Sequence, residues 1–504
     1  MRDYILLYVN GKRYKVFREN VFITLSDFLR KDLGLVGTKV VCAEGDCGSC
    51  TVLLGRTKLK QNGDIEFKYQ SIDSCIQYLF QLDCSHIITV EGLKNDGKKK
   101  FGSNINNIQS AIVESGGSQC GYCTPGFVMS LSAMLESKEK LTRNTIKEGL
   151  TGNLCRCTGY EQIIEAALSI DASRYESITK FFNSKSMLED FKEVLAKSVY
   201  CKYYENWNGV KRKFQYFLPV SLEEALEFKQ KNNNLTVVAG GTDISVQMNK
   251  ARIEPNSVMS LNHLKELEQI NVRNHTVTIG SRVTWTRLEE IFRKYIPEFY
   301  KIIRVFASKQ IKNEGTLAGN IANASPIADS LPFLFVIDSE LELSSTKKNI
   351  KTIEKRWLKI NDFFNGYKKI DIKPGELITK IRFRIPESKD VLKLYKVSKR
   401  KDLDISTFTA GIIIRIKEGK IEKARIAYGG VGPVVLRLLK VEKFLKGKVM
   451  LASIFKEAGA LACKEISPIS DVRSSSDYRF NLAEKILQKF FYEWEEDKNN
   501  TRAA

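Results

Sequence analysis

Histidine is scarce in this chain: its 504 residues include three, His86, His263 and His275. A histidine-ligated hydrolytic metal or a Ser-His-Asp triad has little material to draw on, and each histidine is expected at the surface or as a cap. Long apolar runs are missing as well. The longest candidates, such as Leu331 to Ile337, have the length of a buried strand or helix, far short of the roughly 20 residues that cross a bilayer, so no membrane span is expected. The opening Met-Arg-Asp-Tyr-Ile-Leu-Leu-Tyr-Val-Asn has no apolar signal core and no cleavage site. That points to a cytoplasmic address and away from a disulfide framework. Neither G-x-G-x-x-G nor a P-loop occurs, which disfavours a Rossmann NAD site and an ATPase. Acidic residues run short, 59 against 80 Lys plus Arg, for a net charge of +21. The basic residues are scattered in short pieces, without the aromatic interleaving of a single-strand groove or a zinc-finger or helix-turn-helix pattern. A solvated lysine-rich surface or an acidic partner subunit therefore accounts for the charge better than nucleic acid. Length predicts about three domains, and 43% hydrophobic residues can supply a core for each.

Cysteine, by contrast, is concentrated. Nine of eleven lie before residue 158. Cys42, Cys47 and Cys50, in C-A-E-G-D-C-G-S-C, have the C-x4-C-x2-C spacing of plant-type 2Fe–2S ferredoxins, and Cys75 can supply the distant fourth thiolate. Gly45, Gly48 and Ser49 let the backbone curl round a cluster and aim amides at its sulfur atoms. Cys84 competes for the fourth position but reads as a spare, a small buried hydrophobe. Cys120 and Cys123, in C-G-Y-C, pair with Cys155 and Cys157 in L-C-R-C-T-G. Two close cysteine pairs are also how structural zinc is held, and although C-x-C is unusual there, spacing alone leaves zinc open. Cys201 and Cys463 fit no motif and read as inert.

Alternation in Tyr4 to Val9, the Asn10-Gly11 turn and Arg13 to Phe17 predict a hairpin of type I′. An amphipathic helix start at Thr24 to Arg30 follows, then the cysteine loop, which is the order of a β-grasp ferredoxin module. Residues 104–171 read as mostly helical, with apolar periodicity in 127–135 and 162–167. Both cysteine pairs precede such helices, whose N-termini suit anionic thiolate clusters. Residues 172–212 are charged and irregular and read as a linker. Beyond it Ser221 and Glu224 form a capping box, and a strand at 235–238 leads into Ala239-Gly240-Gly241-Thr242-Asp243. That loop can form an amide nest for a pyrophosphate, although an ordinary tight turn reads equally well. The small-residue stretch Glu314 to Asp329, with Asn320, Ser325 and Asp329 as polar groups, allows close approach to a large planar ligand.

With these motifs in hand, the chain resembles the iron–sulfur and flavin subunit of the xanthine dehydrogenase family of molybdenum hydroxylases, of the bacterial small-chain type. The likeness runs from about residue 4 to 490. It is carried by C-A-E-G-D-C-G-S-C, S-Q-C-G-Y-C-T-P-G-F-V-M, G-N-L-C-R-C-T-G-Y, A-G-G-T-D, G-N-I-A-N-A-S-P-I-A-D and S-D-V-R-S-S-S-D-Y-R.

The resemblance implies an α+β multidomain chain. Residues 1–93 would be a plant-type ferredoxin-like domain, 94–171 a helical 2Fe–2S domain and 172–212 a linker. An FAD domain of vanillyl-alcohol-oxidase or CO-dehydrogenase-flavoprotein type would cover 213–388, a C-terminal CO-dehydrogenase-flavoprotein-like α/β subdomain 389–494, and a tail 495–504. Cys42, Cys47, Cys50 and Cys75 would ligate one 2Fe–2S cluster, and Cys120, Cys123, Cys155 and Cys157 the other. For FAD it implies Val237, Val238, Ala239, Gly240, Gly241, Thr242, Asp243 and Ile244, then Phe306, Thr316, Gly319, Asn320, Ser325, Asp329, Ile378 and Arg400. Ala318 stands where the family often has glycine. The family pattern is a wire: hydroxylation at a molybdopterin partner subunit, then electrons through the helical-domain cluster, the ferredoxin-like cluster, FAD and NAD. Gln119, Gly121 and Tyr122 would face that large subunit, in a heterotetramer of two small and two large chains. The implied reaction is hypoxanthine and xanthine to urate. An aldehyde, nicotinate or carbon monoxide dehydrogenase would use the same layout, and a non-redox scaffold is the other-class alternative.

Overall fold

The alternating first segment and its Asn-Gly turn make the expected hairpin. Tyr4–Val9 pairs antiparallel with Lys12–Phe17, and Asn10 and Gly11, at φ 48° and 79°, take the two left-handed positions that a type I′ turn demands. The structure, a computed structural model of the chain, describes residues 1–59, 65–93, 105–182, 184–207, 210–347 and 350–503. These fall into two units: 1–228 with 232–264 and 308–315, and 229–231 with 265–307 and 316–504.

In the first unit the hairpin joins a five-stranded sheet in the order Lys12–Phe17, Tyr4–Val9, Ser85–Ile88, Thr51–Leu59, Ile65–Asp73. A short helix, Leu25–Asp27, capped by the Thr24 hydroxyl, runs on into the helical turn Phe28–Asp32, and together they bury Leu25, Phe28 and Leu29 with this sheet. Four helices follow, Asn107–Glu114, Thr124–Glu136, Arg143–Gly149 and Glu161–Leu168, and share a core that includes Ile108, Phe127, Leu131, Ile163 and Ala167. The 172–212 stretch carries a helix, Ser184–Leu195, and a strand, Val199–Trp207, paired with Val210–Leu218. Met187, Phe191 and Val194 are buried at i, i+4 and i+7 along that helix, a periodicity that its high charge obscures in the sequence. The Val210–Leu218 strand continues through Ser257–Ser260 to Thr236–Val238 in a four-stranded sheet.

The second unit contains a sheet in the order Ile270–Arg273, Thr276–Gly280, Leu377–Arg384, Glu340–Lys347, Ile350–Lys359, packed with helices through Phe292, Phe299 and Phe333. A four-stranded sheet built on Asp390–Val397, Phe408–Lys417 and Lys420–Gly429 follows, with helices Ala452–Ala462 and Ser476–Ala503. The chain is α+β and multidomain. Leu331–Val336 is a buried helix, and among the described residues no helix is long and apolar enough to cross a membrane.

Two histidines depart from the surface expectation. His86 is fully buried in the strand Ser85–Ile88; its Nδ1 faces the Tyr69 hydroxyl at 2.7 Å and its Nε2 accepts from the Gly11 amide at 3.1 Å. Burial pushes its pKa down to about 3. The His263 side chain is also enclosed, with Nε2 3.5 Å from Asp83, which is held in turn by the buried Arg2. A neutral imidazole offers one donor and one acceptor, enough to satisfy a buried polar position without charge. His275 lies in the turn between Ile270–Arg273 and Thr276–Gly280, at φ 56°.

Candidate metal centres and cofactor loops

The first cysteine group is assembled by one loop and one strand end. Cys42, Cys47 and Cys50 share a tight loop, while Cys75 sits in the single turn Ser74–Ile76 that ends the strand Ile65–Asp73. The Ser74 hydroxyl donates to the Cys50 carbonyl at 2.7 Å, which brings Cys75 alongside Cys50. The four thiols perturb one another in a chain: Cys42 with Cys47 and Cys75, and Cys75 with Cys50. Hydrogen bonds from these neighbours hold Cys42 and Cys50 low. The same bonds, followed by burial, push Cys47 and Cys75 up. All four are free thiols, and the Glu44 amide faces Cys42 Sγ at 3.4 Å. Thiols crowded this closely cannot all ionise unless a cation takes up the charge, so the donor set fits an iron–sulfur cluster. Cys84 points instead at Asp83 Oδ2, 3.5 Å away, and burial pushes its thiol well up.

The second group is shallower. Cys123 directly precedes the helix Thr124–Glu136, and Cys120 and Cys157, both exposed, lie 3.7 Å apart, sulfur to sulfur. Burial and then Cys155 raise Cys123 to about 12. For Cys155 burial acts upward, but the Thr158 hydroxyl (3.2 Å) and amide (3.5 Å) outweigh it and leave the thiol lowered. Exposed Gln119, Tyr122, Leu154 and Tyr160 surround this site. The donor set again fits a cluster, here open to the surface on one side.

The two groups are joined at the backbone. The Leu154 amide donates to the Cys47 carbonyl at 3.0 Å. The Asn153 carboxamide donates to the Gly48 carbonyl at 3.1 Å, and the Tyr122 hydroxyl to the Val40 carbonyl at 3.2 Å. Gly48, at φ 67°, has no room for a side chain: a Cβ would lie 2.3 Å from the Gly152 carbonyl. Buried Gln310 closes the junction, its Nε2 within 3.3 Å of Thr51, Ser130 and Asn153 oxygens.

Of the proposed flavin contacts, the first loop belongs to the first unit. Val237 and Val238 end the strand paired with Ser257–Ser260, and Ile244 begins the helix Ile244–Asn249. Gly240 is pressed against backbone, since a Cβ there would meet the Glu314 carbonyl at 1.9 Å. Gly241 takes φ 73°, and its carbonyl accepts from the Ser245 amide at 2.9 Å. The Gln81 carboxamide donates to the Gly240 carbonyl at 3.1 Å. Thr242 and Asp243 follow at the helix start, after Ala239. This fixed, side-chain-free turn fits the close backbone approach a pyrophosphate needs.

The remaining contacts belong to the second unit. Thr316 caps the helix Leu317–Ala322 by accepting from the Gly319 amide at 3.0 Å. The Ser330 hydroxyl donates to Asn320 Oδ1 at 2.6 Å, and the Ser325 carbonyl accepts from the Ala328 amide. Asp329 is already engaged: Lys396 Nζ lies 2.6 Å from Oδ2, and the Ser406 hydroxyl 2.5 Å from Oδ1. Burial raises its pKa while Lys396 opposes the rise. Asp329 can therefore shape the loop more readily than it can accept a further hydrogen bond. Phe306 packs on Trp285 with ring centroids 4.9 Å apart, Ile378 is buried in Leu377–Arg384, and exposed Arg400 pairs with Asp404. Gln81, Asn153, Asn249, Gln310 and Lys396 escaped the sequence reading because their partners lie far away along the chain.

Family profiles match three stretches: a 2Fe–2S binding domain over 89–168, the FAD-binding domain of molybdopterin dehydrogenases over 212–388, and the CO dehydrogenase flavoprotein C-terminal domain over 393–494. The three matches together are consistent with the iron–sulfur and flavin part of a molybdenum hydroxylase. The 89–168 match favours iron–sulfur over zinc for that segment. Xanthine dehydrogenase 1 of Arabidopsis thaliana is 28% identical over 99% of the chain and 40% of its own length. The xanthine dehydrogenase of Oryza sativa is 30% identical over 88% of the chain and 36% of its own. The chain thus spans about two-fifths of the length of these relatives. Among solved structures, quinoline 2-oxidoreductase from Pseudomonas putida 86 is 25% identical with a TM-score of 0.51, over 56% of the chain and 96% of that one. Carbon monoxide dehydrogenase from Hydrogenophaga pseudoflava, at 23% identity and TM-score 0.51 over 55% of the chain and 95% of that one, shares the fold.

Proposed function

We propose that this chain is the electron-transfer part of a xanthine dehydrogenase-type molybdenum hydroxylase. Cys120, Cys123, Cys155 and Cys157 hold the cluster nearer a molybdopterin-binding partner, and Cys42, Cys47, Cys50 and Cys75 hold the second. Gly240, Gly241 and Thr242 hold the FAD pyrophosphate, and NAD is the acceptor. The observation that carries the reading is the Leu154–Cys47 hydrogen bond, which joins a shallow cysteine site to a buried one through a single peptide contact. When bound, the clusters supply one-electron exchange and the flavin supplies the step from single electrons to a hydride. The chain's own residues fix distance and exclude water: Gly48 and Asn153 hold the two sites together, Gln310 seals the space between them, and Gln81 fixes the flavin loop. Exposed Gln119, Tyr122 and Leu154 offer the docking rim for the large subunit. Purine is favoured over aldehyde, nicotinate or carbon monoxide because the relatives that match along most of this chain, over about two-fifths of their own length, are xanthine dehydrogenases.

The test is an iron and flavin count on purified chain, with a visible spectrum before and after NADH. About four irons and one flavin per chain, bleached by NADH, are expected. A chain without iron would return the scaffold alternative. Hypoxanthine turnover after addition of a molybdopterin-binding partner, compared with an aldehyde and nicotinate, assigns the substrate.

A further inference from the structure

Asn249 belongs to none of the cysteine or flavin motifs, yet its side chain bonds to both segments of the first cysteine group. It ends the helix Ile244–Asn249, which grows directly out of the Gly240–Asp243 turn. Its Nδ2 donates to the Ala43 carbonyl at 2.9 Å and to the Cys75 carbonyl at 2.8 Å, while its Oδ1 accepts from the Tyr78 hydroxyl at 2.9 Å. Ala43 follows Cys42 in one ligand segment and Cys75 stands in the other, so one carboxamide ties the two segments together. Ala43 needs such a tie, being a non-glycine residue at φ 54°.

The bond to Ala43 also has an electronic consequence. The Ala43 carbonyl and the Glu44 amide are two ends of one peptide group, and that amide faces Cys42 Sγ at 3.4 Å. A donor on the carbonyl polarises the peptide and strengthens what its N–H gives to the sulfur. Hydrogen bonds to cluster sulfurs favour the more negative, reduced state and raise the potential. Val246, on the same helix, packs against Cys50, Cys75 and Ile76. The grip is mutual, because Gln81, six residues past Cys75, holds the Gly240 carbonyl.

We propose that Asn249 is a positioning residue through which the flavin-loop helix sets the geometry and reduction potential of the centre at Cys42, Cys47, Cys50 and Cys75. The proposal rests on those cysteines holding a 2Fe–2S cluster. The test compares wild-type holoprotein with Asn249→Asp, Asn249→Leu and Asn249→Gln by iron content and by EPR-monitored redox titration of both centres. Asn249→Asp places an acceptor against two carbonyls, and Asn249→Leu removes both donors. In each, one centre is expected to become harder to reduce by about tenfold in equilibrium constant, 59 mV for one electron, with an altered EPR line shape. The other centre stays unchanged, and Asn249→Gln, which keeps the amide, recovers most of the shift. Selective loss of one centre's iron in Asp or Leu, rescued by Gln, supports the same assignment. Full iron with both potentials at wild-type values would overturn it, as would equal loss of both centres in all three variants. A wild-type protein without two 2Fe–2S signals sinks the cluster reading itself, a separate outcome visible before any variant is made.

Discussion

The Leu154 amide donates to the Cys47 carbonyl across 3.0 Å, so a neighbour of Cys155 is bonded to a residue of the other cysteine group. Electron exchange between two centres depends steeply on their separation, and this contact leaves no side chain or water between the peptide groups. The contact survives only because Gly48, beside Cys47, lets the Gly152 carbonyl come close.

Gly48→Ala is therefore expected to be damaging. The new Cβ would lie 2.3 Å from the Gly152 carbonyl, at φ 67°, and strain plus overpacking cost about 3 kcal/mol or more. Denaturant unfolding should show the loss, and EPR of reduced holoprotein should show a weakened magnetic interaction between the two centres.

Gly240→Ala should strip flavin while sparing iron. A Cβ there falls 1.9 Å from the Glu314 carbonyl, so the turn must open. The purified variant is expected to lose most flavin absorbance and to keep about four irons per chain; full flavin occupancy would show that the turn does not hold the cofactor.

Lys396→Met should leave Asp329 buried beside Ser406 without its cation. Removing one partner of a buried pair costs about 3–5 kcal/mol. The double variant Lys396→Met, Asp329→Leu should recover much of that loss, which a double-mutant cycle on unfolding free energies measures.

Stability should fall as pH drops from 6.5 toward 3. In that window the unfolded chain protonates His86 and the folded chain, with a pKa near 3, does not. The unfolded state thus binds the extra proton, and each pH unit costs about 1.4 kcal/mol from this group. His86→Gln should flatten that part of a stability–pH profile, and an unchanged slope would show that His86 is not responsible.

How much was legible beforehand depended on whether a signal was local. The hairpin at Asn10-Gly11, the cysteine spacings, the Ser221–Glu224 cap and the turn at Gly240-Gly241 each lie within a few residues, where backbone geometry restricts which residues can serve. The helix Ser184–Leu195 was obscured because charge between Met187, Phe191 and Val194 hid their common face. His86 and His263 were misread because burial is a property of neighbours such as Tyr69 and Asp83, which lie 17 and 180 residues away in the sequence.

The sequence by itself determined the local parts: eight cysteines in two spacings and a glycine turn after a strand, because side-chain chemistry and tight-turn conformation are fixed by residue type. Only the tertiary structure decided how those parts communicate. The Leu154–Cys47 bond, the Gln310 seal and the Asn249 carboxamide join segments tens to hundreds of residues apart, and such contacts exist only once apolar burial has brought the segments together.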